Sequence, residues 1–249
     1  MNPRAKQVVW LGARIGVLPM AVWLTRLFRV TFSRARTNRY WSELPGDSDG
    51  LLYVALGDSA AQGIGASRPE KGYVGLLAEH LRAATGRPVT VMNLSRSGAR
   101  IRDVLATQLP ALSAVGRRVD LVTVGIGGND MASYSVQRFT AEIEALTSSL
   151  PPSAVIADVP YFGGGARERY AQEAGKILTR SALEHDLIVV PLYEALRRRG
   201  WRGMFSDFAA DWFHPSDRGY RIWADVFWQS IRGDRALCEA VQISRSERE

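Results

Sequence analysis

The sequence contains one cysteine, Cys238, and three histidines among its 249 residues. A single cysteine excludes an internal disulfide and a cysteine-based zinc site, and it leaves the redox compartment of the protein open. So few histidines also argue against a histidine-rich metal centre. If a histidine acts in catalysis, the candidates are His80, His185 and His214.

The motifs of several enzyme classes are missing. There is no G-x-x-x-x-G-K-[ST] phosphate loop, no H-E-x-x-H zinc motif and no G-x-S-x-G nucleophile elbow. Gly125-x-Gly127 resembles the start of a dinucleotide fingerprint, but Asp130 stands where the third glycine belongs. We therefore expect neither a metal nor an organic cofactor.

Acidic residues are absent from residues 1–42, which carry eight of the 32 lysines and arginines. The rest of the chain, residues 43–249, has 24 basic residues and all 25 acidic ones, so the net charge of +7 belongs to the N-terminal segment. A main domain that is close to neutral does not fit a nucleic-acid binder, and we expect no nucleic-acid partner.

Within this segment, residues 8–32 are mostly apolar, although Arg14 and Pro19 interrupt them. Arginines on one side of an apolar helix are typical of a helix that lies in a membrane interface. Residues 1–42 are therefore predicted to contact a membrane surface, and a helix packed on the protein's own core is the alternative. If the helix spans the membrane, the arginines that follow it predict a cytoplasmic main domain. An exported protein that keeps its N-terminal anchor is the second possibility.

From Leu51 onwards, short apolar runs rich in β-branched residues alternate with amphipathic helical patterns. Runs that are apolar throughout are typical of strands buried on both faces. The predicted strands are 51–56, 89–94, 121–126, 154–159 and 187–192, and the predicted helices are 73–85, 101–113, 135–150, 166–185 and about 216–232. This alternation predicts an α/β fold with three α/β/α layers and a five-stranded parallel sheet.

The domain boundaries follow from composition. The main domain is predicted to cover residues 51–235. A linker at 43–50 precedes it, within a polar stretch at 33–50 that ends in turn-forming residues. Residues 236–249 are predicted to be a C-terminal tail, of which 244–249 are charged and expected to fray.

The residues directly after the strands carry the chemistry, because ligands bind at the carboxyl ends of parallel strands. Ser59 follows the first strand, and a serine hydroxyl needs a base to become a nucleophile. His214 is the best candidate for this base, since Asp211 three residues earlier can orient its imidazole. His80 and His185 instead lie within or at the end of helical patterns.

Acyl transfer also needs hydrogen-bond donors for an oxyanion. Gly98, after the second strand, can bring a backbone N–H close to the serine. Asn129, after the third strand, can offer its side-chain amide. The N–H of Ser59 becomes a third donor if its turn opens a helix.

Four short blocks together resemble the SGNH hydrolase superfamily, also called GDSL-type esterases and lipases. They are Gly57-Asp58-Ser59, the turn with Gly98, GIGGND at 125–130 and DWFHPSDRGY at 211–220. The resemblance covers about residues 50–232 and implies the flavodoxin-like fold of that superfamily. It also implies a nucleophile, a base and an orienting acid in Ser59, His214 and Asp211. The implied oxyanion hole consists of Ser59, Gly98 and Asn129.

Two details qualify this resemblance. Ala60 stands where the namesake motif has leucine. Asp58 and Asp130 are expected to hydrogen-bond their own turns and not to act in the chemistry.

The predicted function is hydrolysis of carboxylic esters through a Ser-His-Asp triad and an acyl-enzyme intermediate. The expected partner is a small-molecule ester, with a lipid ester or a thioester included. Two alternatives stay open: an acyltransferase or thioesterase built on the same triad, and a non-catalytic, membrane-tethered module that binds a lipid or glycan. Aromatic residues near the predicted mouth of the site favour an apolar acyl group: Tyr134, Tyr161, Phe162, Trp212 and Phe213.

Overall fold

The fold is built on one parallel β-sheet. A computed structural model describes residues 35–44 and 50–243 of the chain. The strands are β1 (Leu51–Gly57), β2 (Val89–Asn93), β3 (Leu121–Gly125), β4 (Ala154–Ala157) and β5 (Ile188–Val190). Their order is β2-β1-β3-β4-β5, and all four pairings are parallel. The predicted five-stranded parallel sheet is confirmed.

The central strands are buried on both faces, as their composition predicts. All residues of β1, β3 and β4 are buried. Side chains of successive residues point to opposite faces of a strand. Leu51, Tyr53 and Ala55 therefore join one apolar cluster, while Leu52 and Val54 join another on the other face.

Helices cover each face of this sheet. Their bounds are α1 (35–42), α2 (Ser59–Gln62), α3 (Tyr73–Thr85), α4 (Ile101–Asp103), α5 (Leu109–Ser113), α6 (Val136–Thr147), α7 (Gly165–Glu184), α8 (Leu192–Ser206), α9 (Asp217–Gly233) and α10 (Arg235–Ala240). A π-helical turn, Val104–Gln108, joins α4 to α5. Two short 3-10 helices are Pro69–Lys71 and Gly128–Ser133. Helices α3 and α9 pack together over one cluster, and α6 and α7 pack together over the other, which gives the predicted three layers.

Two local predictions are wrong, and one helix was not predicted. Residues 35–42, assigned to the N-terminal segment within the polar stretch at 33–50, form α1, and its Trp41 is buried in the core of the main domain. Residues 236–243, predicted to be tail, include most of α10 and bury Leu237 and Cys238. Helix α8 was not predicted, because its arginine-rich sequence has only a short apolar stripe.

The predicted apolar helix at residues 8–32 lies outside the described residues, as do residues 45–49 and the charged end 244–249. Its membrane contact and the localisation drawn from it stay predictions. Among the helices of the described segments, none has both the length and the apolar character needed to cross a bilayer.

The strand order determines where a site can form. The chain passes from β1 to β2 on one side and then from β2 back across β1 to β3 on the other, so the sheet has a topological switch point between β1 and β3. In open parallel sheets, the crevice outside the carboxyl ends of such strands is the usual binding place. Gly57 and Gly125 are aligned at this edge.

Candidate active site

The turn after β1 places Ser59 at the first position of α2. Gly57 has φ +145°, and a Cβ there would lie 2.3 Å from the carbonyl oxygen of Gly125, so only glycine fits. Asp58 caps α2, because its Oδ1 accepts the backbone N–H of Ala60 at 2.8 Å. The nucleophile candidate is thus held at the start of a short helix, directly after the end of β1.

Gln108 braces this turn from the π-helical segment, and sequence reasoning missed it. Its Oε1 accepts the N–H of Gly57 at 2.8 Å, and its Nε2 donates to the carbonyl oxygen of Gly57 at 2.8 Å. The side chain is buried. A π-helical turn inside a helix often marks a functional region, and here it carries the residue that fixes the backbone before Ser59.

His214 and Asp211 meet Ser59 in a continuous chain of hydrogen bonds. His214 Nε2 lies 2.9 Å from Ser59 Oγ, and His214 Nδ1 lies 2.5 Å from Asp211 Oδ2. The other carboxylate oxygen, Oδ1, accepts the backbone N–H groups of Phe213 and His214 at 3.1 and 3.0 Å. Burial acts to raise the pKa of Asp211, but the hydrogen bonds and the nearby imidazole outweigh it and lower the pKa. The carboxylate is therefore ionised and oriented towards the imidazole.

The loop that contains Asp211 and His214 is anchored by the buried carboxylate of Asp207. Arg199 Nε lies 2.8 Å and Arg218 Nε lies 3.2 Å from the carboxylate oxygens of this buried residue. Burial acts to raise the pKa of Asp207, yet the hydrogen bonds from Arg199 and Ser206 lower it on balance. Across the loop, the N–H of Ala209 donates to the carbonyl oxygen of His214 at 2.7 Å. These ion pairs and this hydrogen bond thus hold the imidazole of His214 in position.

Gly98 and Asn129 lie at the ends of the turns that follow β2 and β3. Gly98 has φ +81°, in a turn tied to β1 because the N–H of Arg96 donates to the carbonyl oxygen of Gly57 at 3.1 Å. Asn129 Nδ2 donates to the carbonyl oxygen of Ala99 at 2.9 Å and to Asp58 Oδ2 at 3.2 Å. The amide is therefore held beside residues 57–60, the turn of the nucleophile candidate, which we call the nucleophile turn. The longer of its two hydrogen bonds is the one to Asp58.

Asp58 and Asp130 are buried carboxyl groups beside these donors. Burial raises the pKa of Asp58 to about 6, against the lowering effects of the Ala60 hydrogen bond and His214. Burial also raises the pKa of Asp130 to about 6, although the backbone N–H of Ile101 stabilises its carboxylate. Each carboxyl group supports a turn, Asp58 at the start of α2 and Asp130 between the β3 turn and α4.

A cleft opens beside Ser59 with walls that are mainly apolar. It has a volume of about 120 Å³ and runs between the loop of Asp211 and His214 and the ends of β4 and β5. Of the predicted pocket residues, Tyr161, Phe162, Trp212 and Phe213 line it. Tyr134 does not line this cleft, and its ring stacks on Tyr170 with 5.1 Å between centroids. Sequence reasoning missed the inner wall, which is formed by Ala157, Leu192, Leu196, Phe208 and Trp223.

The described residues contain no group of three or more histidine, cysteine, aspartate or glutamate side chains that could hold a metal ion.

A sequence profile of the GDSL-like lipase/acylhydrolase family matches residues 55–222. The chain belongs to this family. It is 26% identical over 219 residues to a GDSL-like esterase of Mycobacterium tuberculosis, a match that covers 82% of this chain and 68% of the relative.

The fold is also similar to those of solved structures. TesA has a TM-score of 0.63 and 22% identity, with 75% of this chain and 99% of TesA covered. A lipase/acylhydrolase from Enterococcus faecalis has a TM-score of 0.61 and 22% identity, with 74% and 96% covered. The SGNH resemblance, the fold and the class of enzyme, an SGNH/GDSL-type esterase, are confirmed for this family member.

Proposed function

We propose that this esterase hydrolyses carboxylic esters with an apolar acyl group, through a Ser-His-Asp triad and an acyl-enzyme intermediate. The observation that carries the proposal is the chain of contacts from Ser59 Oγ to His214 Nε2 at 2.9 Å, and from His214 Nδ1 to Asp211 Oδ2 at 2.5 Å. This arrangement faces an apolar cleft at the switch point of the sheet.

The nucleophilic step uses groups that are already aligned. Ser59 donates its proton to His214 Nε2 as its Oγ attacks the ester carbonyl carbon. Asp211 accepts the Nδ1–H hydrogen bond, which fixes the tautomer of the imidazole and stabilises the imidazolium. The imidazolium then protonates the leaving alcohol, and the acyl group stays on Ser59. A water molecule activated by the same imidazole hydrolyses this acyl-enzyme.

The developing oxyanion needs donors on the side of the cleft that faces α2. The N–H of Ser59 lies in the first turn of α2, where helix N–H groups have no partner within the helix. The N–H of Gly98 and the amide of Asn129 complete the proposed set. Asn129 Nδ2 can turn one hydrogen from Asp58 towards the oxyanion, because its 3.2 Å hydrogen bond to Asp58 is the weaker of its two.

The inner wall of the cleft favours an acyl chain over a polar substituent. Leu192, Leu196 and Trp223 line the cleft together with the small side chain of Ala157. Burying each methylene of an acyl chain against such walls contributes about 0.8 kcal/mol. Acyl esters longer than acetate are therefore the proposed substrates.

The experiment compares variants on p-nitrophenyl esters of graded chain length. Ser59→Ala and His214→Ala should each lower kcat/KM by about 10⁴-fold or more, with the fold retained. Asn129→Ala should lower kcat by about 10²–10³-fold with little change in KM, since its amide acts mainly on the transition state. Ser149→Ala, at an exposed serine after α6, is the matched control and should keep full activity.

A fluorophosphonate probe locates the nucleophile independently of turnover. Mass spectrometry should find the adduct on Ser59 and should find none in the Ser59→Ala variant. Leu196→Trp, which fills the inner wall, should abolish the gain in kcat/KM from acetate to longer esters while leaving acetate turnover in place. A labelled residue other than Ser59, or an unchanged chain-length profile in Leu196→Trp, would contradict the proposal.

A further inference from the structure

Four exposed aromatic side chains lie beside the cleft, and the rings of three of them contact one another in a row. Trp201, Phe205, Trp212 and Phe213 are 71%, 68%, 54% and 45% exposed. Trp201 and Phe205 meet edge to face at 6.2 Å between centroids, and Phe205 and Trp212 do so at 5.6 Å. We call this set the aromatic ridge. An apolar strip of this kind on a surface marks an interaction site.

The backbone beneath the aromatic ridge is held in conformations that favour its exposure. Gly200 has φ +57° and ψ −155°, which kinks α8 just before Trp201. Trp212 has φ +55°, an uncommon and unfavourable value for a bulky residue. Its N–H donates to the carbonyl oxygen of Ala209 at 3.1 Å, which holds the loop in this form. The indole of Trp212 is thus kept at the surface although its backbone conformation is unfavourable.

The aromatic ridge is joined directly to the catalytic loop. Trp212 and Phe213 lie between Asp211 and His214, and both line the cleft. The ring of Phe213 lies 5.0 Å from the imidazole of His214. Whatever covers the aromatic ridge therefore lies at the mouth of the site.

The charge beside the aromatic ridge is positive. Arg202 is exposed, and its guanidinium lies 5.7 Å from the ring centre of Trp201. Of the four arginines of helix α8, Arg197 and Arg198 pair with Glu194 and Arg199 pairs with Asp207, so Arg202 is the one placed against the aromatic ridge. Aromatic rings with arginine heads beside them suit the boundary between acyl chains and anionic headgroups.

We propose that the aromatic ridge docks on the surface of an anionic lipid bilayer and brings the mouth of the cleft to the lipid. Trp201 and Phe205 enter the boundary between headgroups and acyl chains, and Arg202 contacts lipid phosphates. This surface is separate from the predicted N-terminal membrane contact at residues 1–42. It also does not depend on the hydrolytic mechanism, because docking needs no turnover.

A site-specific dye tests the contact in the full-length chain. The native thiol, Cys238, is fully buried, so Phe205→Cys can be labelled with an environment-sensitive nitrobenzoxadiazole dye. Leu183→Cys is the matched control, since Leu183 is 62% exposed in the last turn of α7, before the amino end of β5 and away from the site. Vesicles contain either phosphatidylcholine alone or an equal mixture with phosphatidylglycerol.

On the mixed vesicles, the dye at position 205 should shift to the blue and brighten about threefold or more, and added salt should weaken the effect. The dye at position 183 should not respond. The proposal is overturned if position 205 stays unchanged while the protein sediments with the vesicles. It is also overturned if position 205 responds to protein concentration without vesicles, which would assign the aromatic ridge to a second copy of the chain.

A double variant gives the functional readout. Trp201→Ser with Phe205→Ser should turn over a soluble short ester at the wild-type rate, yet lose about fivefold or more on an ester embedded in the mixed vesicles. Leu183→Ser should lose neither activity. Equal retention of both activities in the double variant would also overturn the proposal.

Discussion

The carboxylate of Asp58 is predicted to lower the stability of the fold at neutral pH while it orients the amide of Asn129. The variant Asp58→Asn tests both effects. The carboxyl group is buried beneath the nucleophile turn. Burial raises its pKa from 3.8 to about 6, and the hydrogen bond from Ala60 and the nearby imidazole of His214 only partly offset this. At neutral pH, folding therefore takes an ionised carboxylate out of water.

The direction of the pH effect follows from proton binding. Between about pH 4 and pH 6 the unfolded chain has released this proton while the folded chain keeps it, so the free energy of unfolding falls as the pH rises. A rise of about two pKa units corresponds to about 3 kcal/mol. The asparagine side chain can still accept the Ala60 N–H but cannot ionise. The loss of stability from about pH 4 to about pH 7.5 should therefore be about 2–3 kcal/mol smaller in Asp58→Asn than in the wild type.

Urea unfolding followed by circular dichroism at both pH values measures this difference. Asp186→Asn, which changes an exposed aspartate in a left-handed position after α7 that asparagine also adopts, is the control and should lose the same stability as the wild type. If Asp58→Asn also loses as much stability as the wild type, the reasoning about a buried ionised carboxylate is refuted.

The same variant should be less active. With its oxygen holding the Ala60 N–H, the new amide nitrogen would face Asn129 Nδ2, donor against donor, where Asp58 Oδ2 now accepts at 3.2 Å. The Asn129 amide should turn away, and kcat should fall by less than the about 10²–10³-fold expected when that amide is removed. Unchanged kcat would show that Asp58 does not orient Asn129.

Three further variants test the frame around the site. Trp41→Ala should lower the free energy of unfolding, measured in urea, by about 3–5 kcal/mol, because α1 packs this ring into the core. For the same reason, deletion of residues 1–42 should lower this free energy far more than deletion of residues 1–34. Gln108→Leu leaves the buried N–H of Gly57 without its acceptor and should cost about 1–3 kcal/mol, together with a lower kcat. Gly57→Ala should yield little folded protein, measured as soluble yield, whereas Gly233→Ala, with open space at its Cβ, should fold normally.

The parts of the fold that the sequence predicts are those with a local signal. The strands are continuous apolar runs because both of their faces are buried, and β1 begins at Leu51 as predicted. Helix α3 has the predicted bounds, since a left-handed Gly86 ends it. The contact between Asp211 and His214 is also local, because three residues separate them in one loop.

Other contacts depend on distant segments and leave no local pattern. Gln108 reaches Gly57 across 51 residues, and nothing in its neighbourhood distinguishes it from a surface glutamine. Trp41 stands in a polar stretch, yet its indole N–H donates to the carbonyl oxygen of Gln62 at 3.0 Å. Tyr134 follows the Asn129 turn closely, but its ring turns back to stack on Tyr170. A residue that is close to the site along the chain is therefore predicted wrongly when its side chain points away from the site.

The side chains that hold the nucleophile turn are mostly neutral amides, and this has a physical reason. Gln108 holds Gly57, Asn93 Nδ2 donates to the carbonyl oxygen of Ala61 at 2.8 Å, and Gln62 Nε2 donates to the carbonyl oxygen of Ser95 at 3.1 Å. An amide satisfies buried backbone groups without a net charge. A lysine or arginine at the same points would stabilise the ionised form of Asp58, and an added acid would oppose an oxyanion at Ser59. Neutral amide side chains therefore hold this turn in place without adding a charge near Ser59 and His214.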